Sequence, residues 1–221
     1  MTLRGFLSAS VQYSNTESTQ NCYTYQPRAQ GIFDATSSTS AVGVLCNLSD
    51  VDCSIGIAVS GISQGAELAV LSANYSSQVQ AVYALSGGDQ FENIKIPLPC
   101  MDKANTMIPG NRLTIIDGQS DPYFGGQSNV QNVSGFVCPD GSFQCWSPDG
   151  SGAGWYIVQN WQNTTGTAGH CYFVDSTSVD VCAGIEDVNW RAPASYDWSL
   201  NTNLDWLATF GTQRNFSPTG Y

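Results

Sequence analysis

The sequence predicts an α/β fold, a mostly parallel central sheet with helices on both faces, built as a single domain over residues 1–221. Short apolar runs at Ile55–Val59, Val79–Leu85, Leu113–Ile116 and Trp155–Val158 lack the strict polar alternation of a half-exposed sheet. They read instead as strands covered on both sides. Segments with helical spacing of apolar residues fall between them, and parallel strands need such crossovers. No repeat or linker divides the chain, and 42% hydrophobic residues suffice for one core.

Taken in order, residues 5–13 alternate, with Leu7, Ala9, Val11 and Tyr13 on one face, which reads as a first strand. Ser, Asn, Thr and Gln then dominate to residue 30 and mark a surface loop carrying Cys22. Ser38 to Ser40 offer N-caps for a helix with Ala41, Val44, Leu45 and Leu48 on one face. The strand Ile55–Val59 leads into a helix over Gln64–Ala73, where Gly65, Ala66, Ala69 and Ala73 permit close approach to a sheet. Val79–Leu85 and Arg112–Asp117 are further strands. Residues 125–153 form a Gly/Ser/Pro-rich excursion pinned by Cys138 and Cys145, and Trp155–Val158 follows it. Leu200, Leu204, Leu207 and Ala208 trace a closing helix that Gly211 stops.

Composition narrows the function. With 18 acidic and 7 basic residues the net charge is −11, and no basic stripe exists to displace counterions from phosphates. A general nucleic-acid binder is thereby excluded. No apolar run approaches the ~20 residues of a membrane helix. The charged fraction of 11% is less than half the roughly 25% usual for soluble domains, so Ser, Thr, Asn, Gln and Gly must wet the surface. A single histidine excludes any site that needs two, and no C-x2-C pair suggests zinc, so no metal or organic cofactor is implied.

Eight cysteines in a chain of this size read as an oxidised framework and an exported protein. Cys46/Cys53 and Cys138/Cys145 would close short loops, as would Cys171/Cys182, which leaves Cys22 with Cys100 by elimination. Sequons at Asn47, Asn74, Asn132, Asn163 and Asn215 also favour a secretory route and a glycoprotein. The first ten residues contain no apolar stretch of a secretory signal, so the expectation is either that the signal has been removed or that the chain begins downstream of its natural start.

Gly61-Ile-Ser63-Gln-Gly65 matches G-x-S-x-G between a buried strand and a small-residue helix. In that strand–turn–helix setting a serine is thrust upward on a strained turn, with room provided by Gly61 and Gly65. The helix N-terminus behind it favours negative charge near the hydroxyl. A serine hydroxyl needs a base, and His170, on a Gly-containing loop, is the only imidazole. The base needs an orienting carboxylate. Asp121 lies in a turn just past a strand and is preferred; Asp117, at the strand end itself, is the rival. Asp102 and Asp175 follow no clear strand. Trp146, Trp155 and Trp190 supply either pocket lining or core.

The order Ser63, Asp121, His170 resembles that of the α/β-hydrolase superfamily. Gly61-Ile-Ser-Gln-Gly-Ala66 looks like its nucleophile elbow, Gly118-Gln-Ser-Asp121 like its acid turn, Gly169-His170 like its base loop, and Leu204–Leu207 like its last helix. Cutinases are the nearest competing subfamily. The resemblance implies a secreted serine hydrolase acting on a small-molecule or polymeric carboxylic ester. Its triad would be Ser63, His170 and Asp121, and the Gln64 N–H would serve as one oxyanion donor. Arg4–Tyr13 is similar to the strand after the family's oxyanion loop, which would leave the earliest strands missing and the chain N-terminally incomplete. In a cutinase-like arrangement, Ser14–Thr16 would offer the second donor. A non-catalytic binding or structural glycoprotein on the same scaffold stands as the alternative.

Overall fold

The structure is a computed structural model and describes residues 1–15, 20–92, 95–170, 172, 187–191 and 196–210. Its first helix is one that composition disguised. The polar stretch assigned to a surface loop forms α1 (Cys22–Phe33). Asn21 and Thr24 cap it reciprocally, each side chain accepting the other's backbone N–H at 3.2 Å. Tyr25, Ala29, Ile32 and Phe33 form its buried stripe, while Pro27 sits on the exposed side. Burial of that stripe outweighs the polar composition and the donor that Pro27 lacks. The preceding residues, 6–15, carry no regular secondary structure, so the strand expected over 5–13 does not form.

The remaining elements follow the expected alternation. Ser40 caps α2 (Ala41–Cys46), its hydroxyl accepting the Gly43 N–H at 2.9 Å. Next come β1 (Ile57–Ile62), α3 (Gln64–Leu71) and β2 (Val79–Leu85). A small ribbon of β3 (Gln90–Phe91) and β4 (Ile96–Pro97) precedes β5 (Leu113–Gly118). The excursion beyond it is more ordered than its composition suggests, supplying α4 (Gln127–Ser134) and β6 (Gln144–Trp146). β7 (Gly154–Val158), α5 (Val188–Arg191) and α6 (Leu200–Ala208) complete the described chain. Gly211, expected to stop the last helix, lies outside the described residues.

The sheet has the order β1-β2-β5-β7-β6. β1, β2, β5 and β7 are parallel neighbours, and β6 pairs antiparallel to β7 at the far edge. Period-two alternation survives inside the apolar strands, but both sets are buried. Val82, Ala84, Leu113, Ile115, Trp155 and Ile157 join the core with α1, α3 and α4. Ala81, Tyr83, Leu85, Ile116, Tyr156 and Val158 join a second core with Trp190, Trp198 and Leu207. Continuous hydrophobicity is what a sheet with two covered faces requires.

β1 is the exception, because it lies at the sheet edge. A groove of about 750 Å³ is lined by Leu7, Ala9 and Val11 together with Ile57, Val59 and Gly61. Three disulfides join Cys22–Cys100, Cys46–Cys53 and Cys138–Cys145, as expected; Cys171 and Cys182 lie outside the described residues. Among the described residues no helix is long and apolar enough to cross a membrane.

Sequence separations of 78 and 7 rank the cross-links Cys22–Cys100 and Cys46–Cys53. In the chain-entropy account they contribute about 4.5 and about 2.4 kcal/mol respectively. Urea unfolding of the two paired Cys→Ala variants should therefore show the larger loss for Cys22/Cys100, and equal losses would contradict that ranking.

Candidate active site

The C-terminal ends of four neighbouring parallel strands bring the site together. Ser63 follows β1, Ser86 follows β2, and Asp121 sits three residues past β5. His170 is on the loop beyond β7. In open parallel sheets this end is where strand-to-helix loops converge and ligands bind.

Ser63 links β1 to α3 with φ 54° and ψ −123°, a backbone conformation outside the ordinary regions for a side-chain-bearing residue. Such a conformation costs on the order of 1–3 kcal/mol and persists because its surroundings over-determine it. The Ser63 N–H donates to the Leu85 carbonyl at 2.9 Å, and its carbonyl accepts the Ala66 N–H at 2.8 Å. The turn also forces the chain onto itself. A Cβ on Gly61 would lie 2.0 Å from the Gly65 carbonyl oxygen, so that position admits only glycine. Gly65 behaves differently. A Cβ there would meet nothing within 4 Å, so the expected steric need for glycine holds at Gly61 and not at Gly65.

The side chains form one hydrogen-bonded line. His170 Nε2 is 2.8 Å from Ser63 Oγ, and His170 Nδ1 is 2.7 Å from Asp121 Oδ2. The His170 and Asp121 side chains are 8% and 0% exposed, so little solvent competes for these contacts. Asp121 Oδ1 accepts the Tyr123 N–H at 2.8 Å and the Phe124 N–H at 3.2 Å. Burial pushes the Asp121 carboxyl up, but hydrogen bonding and charge attraction from His170, with help from Ser86 and the Tyr123 N–H, hold it below its ordinary value. The Ser86 hydroxyl favours that charge without completing a direct hydrogen bond.

Asp117, the rival acid, is fully buried in β5 and has no hydrogen-bond partner on either oxygen. Burial, reinforced by the nearby Asp121 and Glu67, raises its carboxyl well above the usual range. Asp121, not Asp117, is the carboxylate paired with His170. Asp102 lies elsewhere, as a neighbour of Asp89, and Asp175 lies outside the described residues. Trp155 and Trp190 are core residues, 0% and 5% exposed, rather than pocket lining.

Several contributors escaped the sequence reading. The Tyr123 ring meets the His170 ring edge-on at a centroid distance of 4.8 Å and packs the imidazole in place. The Gln64 side-chain amide donates to the Gln20 side-chain carbonyl, tying the entrance of α1 to the turn at Ser63. A Cβ on Gly118 would lie 2.3 Å from the Ala168 carbonyl oxygen, so the acid and base loops touch backbone to backbone. The Asp-Pro sequence at 121–122 signals the turn that aims two N–H groups at Asp121. Nothing local signals the contacts of Tyr123, Gln20 or Gly118, which depend on which strands are neighbours.

At the start of α3 the N–H groups of Gln64 and Gly65 have no acceptor one turn earlier in the helix. They open the helix that directly follows Ser63, at the positive end of its dipole. The arrangement pairs a hydroxyl with an imidazole and the imidazole with a buried carboxylate, at the N-terminus of a helix. Proton removal from Ser63 and stabilisation of a nearby oxyanion are the chemistry it can perform.

Comparisons of the chain with family models, with curated proteins and with solved structures find no match.

Gly61→Ala should displace the backbone at Ser63 and lower stability by about 2–4 kcal/mol, with loss of reactivity at Ser63. Gly65→Ala should fold as well as wild type, since its Cβ enters open space. Urea unfolding of the two variants checks the contrast; equal destabilisation would refute the account of the turn.

Proposed function

We propose that the protein is a serine hydrolase that cleaves a carboxylic ester through Ser63, His170 and Asp121. The observation carrying this reading is the unbroken line Asp121–His170–Ser63, with contacts of 2.7 and 2.8 Å, ending on a serine held at φ 54°. The resemblance of the same residues to an α/β-hydrolase elbow, acid turn and base loop supports it.

In this mechanism Ser63 Oγ attacks the ester carbonyl while its proton passes to His170 Nε2. Asp121 holds His170 in the tautomer that leaves Nε2 free to accept, and its negative charge stabilises the imidazolium that forms. The Gln64 N–H faces the oxygen on which charge develops. His170 then returns the proton to the departing alkoxide, leaving an acyl group on Ser63. Water, deprotonated by the same imidazole, releases the acid and restores the hydroxyl. Because Asp121 is held below its ordinary value, its charge is present at neutral pH and is lost only as pH falls through that lowered value.

An exported, glycosylated protein fits the three disulfides and the sparse charge. The sequons differ in accessibility. Asn163 is 4% exposed and its side-chain Oδ1 accepts from the Thr165 N–H, whereas Asn47 is exposed at the end of α2. The Asn74 side chain clamps residues 105–107 by hydrogen bonds to the Asn105 carbonyl and the Met107 N–H. Asn132 is exposed on α4, but the Ser134 of its sequon is buried. Asn215 lies outside the described residues.

A fluorophosphonate probe should label wild type, while Ser63→Ala and His170→Ala abolish labelling. Asp121→Asn should slow it by a factor on the order of 10³–10⁴. Unlabelled, folded wild type would favour a non-catalytic binding glycoprotein instead. In protein secreted by a eukaryotic host, Asn47→Gln should remove one glycan by intact mass, and Asn163→Gln none. A glycan found on Asn163 would contradict the burial argument.

A further inference from the structure

Two buried acids behind the triad play no part in the chemistry above. Glu67, in the first turn of α3, and Asp117, in β5, are each 0% exposed. Neither has an ion-pair partner among the described residues. Glu67 Oε1 accepts the Gly88 N–H at 3.0 Å, and its Oε2 is buried with no hydrogen-bond partner. Both Asp117 oxygens are likewise unpartnered, with the Gly87 N–H oriented favourably nearby. The two carboxyls therefore flank the loop of residues 86–88, whose Ser86 has φ 50° and a hydroxyl that favours the Asp121 charge.

The groups facing this pair make ionisation costly. Asp117 faces Asp121 and Glu67, while Glu67 faces Asp89. Tyr25 and Tyr172, both phenols displaced upward by burial, feel Glu67 and Asp117 respectively. Of the cations facing the cluster, His170 is engaged by Asp121 and Arg28 acts on Tyr25. Burying a further uncompensated carboxylate costs several kcal/mol, which a carboxyl avoids by keeping its proton.

We propose that Glu67 and Asp117 are carried as neutral, proton-bearing acids and that Glu67 is a positioning residue. Through the Gly88 N–H, Glu67 holds the 86–88 loop against Asp121, and the two neutral acids leave Asp121 as the only anion of the site. This rests on the triad reading for its role in reactivity, but the protonation itself does not. Protonation has a definite linkage sign. Both groups ionise at ordinary values in the unfolded chain and stay protonated in the folded one, so stability falls as pH rises above the unfolded value. Each such carboxyl lowers the folding equilibrium constant roughly tenfold per pH unit in that window.

Three measurements on the intact chain test this. Infrared difference spectra of folded wild type at pH 7 should show a protonated-carboxyl C=O stretch, reduced in Glu67→Gln and in Asp117→Asn. Wild type without that band, or variants that leave it unchanged, would overturn the proposal. Urea unfolding at pH 5 and pH 7 should show either variant gaining on wild type as pH rises, approaching tenfold per unit. Parallel pH dependences would overturn it equally, and either variant suffices if the other fails to fold. Fluorophosphonate labelling reads the positioning role. Glu67→Ala, which removes the acceptor for the Gly88 N–H, should react at least about tenfold more slowly than Glu67→Gln. Equal rates would overturn that role, whereas unlabelled wild type with the band present would refute the esterase reading and leave the protonated pair standing.

Discussion

The buried carboxylate of Asp121 is the constraint around which this end of the molecule is arranged. A charge at 0% side-chain exposure is tolerable only if donors surround it, and they come from separate parts of the chain. His170 reaches it from the loop after β7, and Tyr123 and Phe124 present N–H groups from its own turn. The Ser86 hydroxyl, at the end of β2, favours the charge without a direct hydrogen bond. Those contacts hold the imidazole in the orientation that reaches Ser63, so the charge that must be satisfied also sets the geometry of the base.

The parallel sheet makes this convergence possible. Because β1, β2, β5 and β7 run the same way, their C-terminal loops open on one edge, and residues more than 100 positions apart meet within 2.8 Å. Both faces of the inner strands are buried, which fixes their register and the positions of the loops they carry. β1 is held less completely, with a neighbour on one side only. The Gly61–Gly65 backbone contact and the hydrogen bond from Ser63 to Leu85 tie its end to α3 and β2 instead.

Charge placement follows from the same economy of donors. Three acids, Glu67, Asp117 and Asp121, lie within one buried region, but only Asp121 receives enough hydrogen bonding to stay ionised against burial. Asp117 shows why proximity to a strand end does not select the carboxylate that meets the imidazole. Its carboxyl lies within the sheet rather than in the turn beyond it, and the imidazole pairs with Asp121 instead. Four residues further on, the turn at Asp121 gives the carboxylate two backbone N–H donors and a path to Nδ1.

How much was legible follows from the range of each interaction. The apolar strands, the helix capped at Ser40, the strand-to-helix turn at Ser63 and the Asp-Pro turn at 121–122 rest on residues a few positions apart, and the sequence alone determined them. The count of one histidine also settled which imidazole could act. Local composition misled where tertiary burial overruled it. α1 lies in a polar, proline-containing stretch because its Tyr25–Phe33 stripe packs beneath α3, and residues 5–13 alternate without pairing because strand formation needs a partner edge in register. The excursion at 125–153 likewise gains β6 only from the neighbouring β7. Only the tertiary structure decided between Asp117 and Asp121, joined Tyr123 and Gln20 to the site, and buried Glu67 beside Asp117. Distances between residues on different strands depend on strand order and register, which local sequence does not encode.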